Sequence, residues 1–165
     1  MTAASRRTRV AKRHRSTDLD DALAFKIHRT NRLLRTHLAR LLDGYESGLT
    51  PEQWFVLARV ASRQPVRQVA LAEPVLGDPP NVTRLVDSLV ARGHIERAPD
   101  PTDRRSWHVS LTKQGRALVD AIFEGAVDER QRVFAGFDDR ELDQLADALD
   151  RIDHNVRELL ARPQT

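Results

Sequence analysis

Apolar residues recur at three- and four-residue steps over most of this chain and at alternate positions over one short stretch. Leu19, Leu23, Ile27, Leu34, Leu38 and Leu41 form one stripe that predicts a helix to about Leu42, interrupted by Asn31. Ser16 or Thr17 can cap that helix, and Asp18, Asp20 and Asp21 suit the positive end of its dipole. Thr50-Pro51-Glu52-Gln53 announces a second helix: Thr50 caps it, Pro51 is tolerated in the first turn, and Gln53 can close a capping box. Trp54, Phe55, Leu57, Ala58 and Ala61 then supply its buried faces. After Pro65 a short third helix is expected from Val66 to Leu71 or Glu73, with Pro74 stopping or kinking it. Asp78-Pro79-Pro80 opens a fourth, which carries Val82, Leu85, Val86, Leu89 and Val90 inward until Gly93 ends it.

From His94 the period shortens to two. Ile95-Glu96-Arg97 is strand-like, the cluster from Pro99 to Asp103 is a turn, and Trp107, Val109 and Leu111 alternate with Ser106, His108 and Ser110, predicting a two-stranded hairpin with a charged tip. Thr112 can cap a long helix that runs to near Gly136, and Asp138-x-x-Glu141 makes a further capping box. In the last helix Leu142, Leu145, Leu149, Ile152, Val156 and Leu159 alternate three- and four-residue steps, as a coiled-coil seam does. The expected fold is mostly α with a small β-hairpin. Its three closely spaced helices ahead of the hairpin form a helix-turn-helix that presents the last of them outward.

The 165 residues suffice for one domain or two small lobes, and with 40% apolar residues the chain can bury a core. There is no run of about 18 uncharged apolar residues, and no apolar stretch follows the basic N-terminus, so neither a membrane span nor a secretory signal is expected and the protein is placed in the cytoplasm. Cysteine is absent, which removes disulfides, thiolate nucleophiles, thiol-oxidation sensing and sulfur-ligated zinc. The seven glycines form no phosphate-cradling loop, no serine sits in GxSxG, and the six histidines form no HExxH pair. Asp153 and His154 are adjacent on a helix and point apart. No enzyme, catalytic residue, metal site or cofactor is expected.

The net charge of +3 is unevenly spread. Residues 1–16 hold Arg6, Arg7, Arg9, Lys12, Arg13 and Arg15 and no acid, so the remainder is slightly acidic. Such an arm can release counterions from nucleic acid, or it can be a solvated, disordered tail. From Pro51 to Thr112 eight arginines face seven acids, so any DNA contact must rest on placement rather than bulk charge.

Asp103-x-Arg105, followed after five residues by Leu111-Thr112, matches the wing signature of the MarR family of bacterial transcriptional regulators. Val82-Thr83-Arg84-Leu85-Val86-Asp87 with Arg92-Gly93 matches its recognition helix, and Leu49-Thr50-Pro51-Glu52-Gln53-Trp54 the start of its second helix. The chain resembles that family over about residues 18–161, departing from the pattern at Pro74 and Pro80. The charge distribution marks a basic arm over 1–16, and the resemblance implies an N-terminal dimerisation helix over 17–46, a winged helix-turn-helix over 47–112 and C-terminal dimerisation helices over 113–162. It implies a homodimer, joined through Leu19, Leu23, Leu142, Leu145, Leu149, Ile152, Val156 and Leu159, that binds double-stranded DNA at a palindromic operator. It also implies a small-molecule effector that relieves repression.

Within that scheme Asn81, Thr83, Arg84 and Ser88 are the polar side of the recognition helix, and Arg84 is suited to a bidentate guanine contact. Arg67 and Gln68 lie where the preceding helix crosses the phosphates, while Arg104 and Arg105 sit at the hairpin tip and can enter a narrow minor groove. By resemblance Asp103 pairs with Arg105 to brace the wing; alternatively it is a turn aspartate bonded to its own backbone. His28, Asn31, Arg32 and Trp54 are candidates to hold an anionic aromatic ligand, with a register-setting role for Asn31 and a core role for Trp54 as alternatives. The competing function is a winged-helix protein-interaction or non-specific DNA-packaging module.

Overall fold

A computed structural model describes residues 19–45, 47–72, 79–103 and 106–162. The basic arm, the cap candidates Ser16 and Thr17, Asp78, and the wing-tip Arg104 and Arg105 lie outside the described residues. The order is α1 (Leu23–Gly44), α2 (Pro51–Arg63), β1 (Val66–Arg67), α3 (Pro79–Ala91), β2 (Ile95–Pro99), β3 (Trp107–Leu111), α4 (Lys113–Gly125), α5 (Val127–Val133) and α6 (Asp139–Leu160). Short 3₁₀ turns cover Leu19–Asp21 and Gln68–Leu71. The chain divides into two compact units after Glu124: α1 to α4 make the first, and α5 and α6 belong to the second.

In the first unit α2 starts on its capping box: the Gln53 amide donates to Thr50 Oγ1 at 3.3 Å and the Thr50 amide to Gln53 Oε1 at 2.9 Å. Val56, Leu57 and Val60 of α2 pack with Val82, Val86 and Leu89 of α3, Ile95 and Val109 of the sheet, and Val119 and Ile122 of α4, all essentially without solvent exposure. Each such side chain contributes roughly 1.5–3 kcal/mol on burial, so this cluster fixes which side of α3 faces outward. Gly93, at φ 73°, ends α3, with the His94 amide donating to the Leu89 carbonyl at 3.0 Å.

Three expectations are corrected. The segment from Val66 to Leu71 is not a helix: Val66 and Arg67 pair antiparallel with Val109 and His108, which makes the sheet three-stranded in the order β1-β3-β2, and only Gln68–Leu71 coils. Val66 is β-branched and buried, and β3 offers it unpaired backbone groups, so long-range pairing outweighs a weak local helical signal. The long helix expected to Gly136 breaks at Ala126, whose φ −88° and ψ 2° leave the helical region just after Gly125, a poor helix former. The first helix begins at Leu23 behind Ala22, which has no side-chain cap.

In the second unit Asp138 and Glu141 close the capping box of α6: the Glu141 amide donates to Asp138 Oδ1 at 2.8 Å and the Asp138 amide to Glu141 Oε2 at 3.0 Å. Leu145, Leu149, Ile152, Val156 and Leu159 all stand exposed along this helix. Among the described residues no helix is long and apolar enough to cross a membrane.

Candidate nucleic-acid interface

With Val82, Val86 and Leu89 turned inward, α3 presents Thr83 and Arg84 to solvent. Asn81 lies half-buried in its first turn. Gln68 Nε2 donates to Thr83 Oγ1 at 3.4 Å, which ties the 3₁₀ turn to the outward face of α3. Ser88 stands apart from the other three polar positions: it is half-buried, and its hydroxyl accepts from Gln53 Nε2 at 2.9 Å, so the second helix uses it. Gln53 thus both closes the cap of α2 and holds α3.

Two arginines of this segment are engaged within the fold. Arg97 Nη1 lies 2.6 Å from Asp87 Oδ1, joining β2 to α3, and Arg92 Nη1 donates to the Gly48 carbonyl at 2.8 Å while its Nη2 donates to the Ser47 carbonyl. Arg84, in contrast, is exposed and has no ion-pair partner among the described residues. A near-zero sum over the segment therefore conceals an outward cation on α3.

At the wing root, Asp100 is 4% exposed. Its Oδ1 accepts from the Thr102 hydroxyl at 2.7 Å, the Thr102 amide at 2.8 Å and the Asp103 amide at 3.2 Å. Its Oδ2 lies 3.0 Å from Arg67 Nε and 3.7 Å from His108 Nδ1. The Thr102 hydroxyl and amide, then Arg67 and the Asp103 amide, hold the carboxyl down to about 2 against the opposing effect of burial. Asp103, exposed, accepts from the Ser106 hydroxyl at 2.7 Å, and its carbonyl accepts the Ser106 amide at 2.9 Å, so it closes the turn; its expected partner Arg105 is outside the described residues. Nothing in the sequence singled out Asp100. The Asp-x-Thr order was a legible sign of a carboxylate bonded to its own turn, but the pairing with Arg67 arises only because β1 joins β3.

Among the described residues are two open depressions. One, of about 390 Å³, is lined by His28, Asn31, Arg32, Arg35, Thr36 and Ala39 of α1 and by Pro51. It brings together three of the four ligand candidates, and Arg35 beside them is paired with Glu52. Trp54 does not line it; this ring is 8% exposed and packs on Phe123 at a centroid distance of 5.2 Å and 56°, as a core residue.

The other, of about 630 Å³, is lined by Tyr45, Ser47, Arg92, His94, Gln114 and Leu118. His94 is buried with no hydrogen-bond partner for Nδ1, and burial first, then the Arg92 charge, lower its pKa. The unfolded chain therefore takes up a proton near the ordinary histidine value of about 6.5 that the folded chain refuses, so stability is full above that pH and falls as pH drops below it. Thermal melts from pH 7.5 to 5 are expected to show this decline, and His94→Asn should flatten it; an unchanged slope in that variant would remove His94 as the cause.

The MarR family model matches residues 49–107. An uncharacterised helix-turn-helix transcriptional regulator of Bacillus subtilis, YkoM, is 31% identical over 120 residues, covering 73% of this chain and 78% of its own. Among solved structures, CouR of Rhodococcus jostii bound to p-coumaroyl-CoA is 29% identical with a TM-score of 0.74, over 83% of this chain and 95% of that one. A mutant MarR from E. coli complexed with operator DNA is 27% identical with a TM-score of 0.64, over 77% and 93% of the two chains.

Proposed function

Since this chain belongs to the MarR family of DNA-binding transcriptional regulators, which are not enzymes, we propose that it acts in the cytoplasm as a homodimeric repressor of a palindromic operator, released by a small anionic aromatic ligand. The observation that carries the DNA half of this reading is the orientation of α3: a fully buried Val82, Val86 and Leu89 face leaves Thr83 and Arg84 outward, beside Arg67 and Gln68. In the proposed complex α3 enters the major groove, Arg84 reads guanine, Arg67 and Gln68 hold phosphates, and Arg104 and Arg105 enter the minor groove behind Asp103. Ser88 acts through the packing of α3 rather than by touching DNA. The ligand half rests on the crevice lined by His28, Asn31 and Arg32, where a guanidinium, an imidazole and an amide share one opening, and on a relative of the same fold that was crystallised with p-coumaroyl-CoA.

Fluorescence anisotropy against genomic fragments and random duplexes tests the whole. A regulator should prefer its operator by at least about 10³; equal affinity for unrelated duplexes would favour a packaging protein instead. Arg84→Ala is expected to cost about 1–3 kcal/mol on the operator and to relax selectivity, while Arg67→Ala weakens all sequences alike. If Arg84→Ala weakens operator and random duplexes equally, Arg84 is not a base reader.

A further inference from the structure

The wing and the residue proposed to grip phosphate meet at one buried carboxylate. We infer that Asp100 is a positioning residue that holds Arg67 over the wing root, ready to grip phosphate. The inference rests on the assignment of Arg67 to phosphate contact made above.

The two oxygens of Asp100 have different work. Oδ1 takes three donors from Thr102 and Asp103, which sets the path of the chain toward the wing tip. Oδ2 is buried with no in-line hydrogen bond and faces Arg67 Nε at 3.0 Å, with His108 Nδ1 at 3.7 Å. A buried anion needs a counter-charge, and here Arg67 on β1 is the guanidinium beside it. The guanidinium is a planar cation with five donors, and because Oδ2 lies off the Nε–H axis it attracts the group as a charge and leaves its N–H donors for a second anion. The Arg67 side chain is 53% exposed while that of Asp100 is 1% exposed, which is the arrangement of a buttress beneath a presented cation. Without it a free arginine at this place would lose rotamer freedom on gripping phosphate. The next residue, Gln68, bonds Thr83 on α3, so the same short segment connects wing root and recognition helix.

The test uses a random-sequence duplex, because phosphate gripping is independent of sequence, with titrations at several salt concentrations. Asp100→Asn keeps an oxygen for the turn amides and removes the charge under Arg67. It is expected to weaken binding about three- to tenfold per dimer and to lower the salt slope as Arg67→Ala does. In an Arg67→Ala background the same change should have no further effect. Arg67→Lys, which keeps the cation but not the fork, should bind as poorly as Arg67→Ala, and it tests the idea should Asp100→Asn fold badly.

Asp100→Asn binding as tightly as the parent while Arg67→Ala is weak overturns the inference and leaves Arg67 as a phosphate contact. A loss from Asp100→Asn that persists without Arg67 marks a loosened wing and also overturns it, as does Arg67→Lys binding like the parent. Arg67→Ala binding every duplex like the parent removes both the inference and the reading it rests on.

Discussion

Replacing Leu149 and Ile152 by aspartate is expected to convert the protein to monomers or to insoluble chain. In a single protomer Leu149 is 44% and Ile152 36% exposed, in line with Leu145, Val156 and Leu159 on the same side of α6. A soluble monomer rarely leaves so long an apolar stripe in water. Burying a fully exposed side chain of this kind is worth roughly 1.5–3 kcal/mol, and about two fifths of each is open here, so four of them in a symmetric pair supply on the order of 2–5 kcal/mol, which the aspartates would forfeit and reverse. The helix itself should survive, because the Asp138–Glu141 capping box and the exposed polar face do not involve the changed positions. Light scattering on the purified double variant is the measurement. A folded, dimeric variant would show that the proposed dimer is joined elsewhere.

Gly115→Ala is expected to destabilise the fold by about 3 kcal/mol, the opposite of what helix propensity gives for glycine to alanine in a helix. A Cβ on Gly115 would lie 2.0 Å from the His94 carbonyl oxygen and 2.9 Å from its carbon. No side-chain rotation relieves a collision with backbone, so the start of α4 has to move. That start is anchored three times over: the Thr112 amide donates to the His94 carbonyl at 3.1 Å, the Thr112 hydroxyl donates to the Gly93 carbonyl at 2.6 Å, and the Gly115 amide donates to Thr112 Oγ1 at 3.0 Å. Moving α4 also withdraws Val119 and Ile122 from the core. Urea unfolding at fixed protein concentration decides the sign; a variant as stable as the parent would mean that the close approach is absent in solution.

The parts of the interface that were legible beforehand are those whose cause is local. Thr50 and Gln53, or Asp138 and Glu141, close a cap across three residues, and the inward face of α3 repeats within every turn, so each could be read from spacing alone. What escaped reading depended on partners far along the chain. Ser88 belonged by pattern with Thr83 and Arg84, yet Gln53, 35 residues away, takes its hydroxyl. The ligand candidates Trp54 and Asn31 part company: the ring packs on Phe123 in the core, and the amide lines an open crevice.

Taken alone, the order of residues determined most of the helices and the hairpin, the caps of α2 and α6, the absence of thiol chemistry, and the winged-helix resemblance, since these follow from short-range sterics, hydrogen bonding and composition. Tertiary structure decided which cations remain available. Arg92 and Arg97 are as basic in sequence as Arg84, but one is spent on the Ser47 and Gly48 carbonyls and the other on Asp87, whereas Arg84 is left outward. It also decided that Val66 and Arg67 extend as a strand, because only β3 could pair them, and that this pairing sets Arg67 over Asp100. A charge's value at an interface depends on its neighbours within a few ångströms, and those neighbours are chosen by packing of distant segments rather than by proximity along the chain.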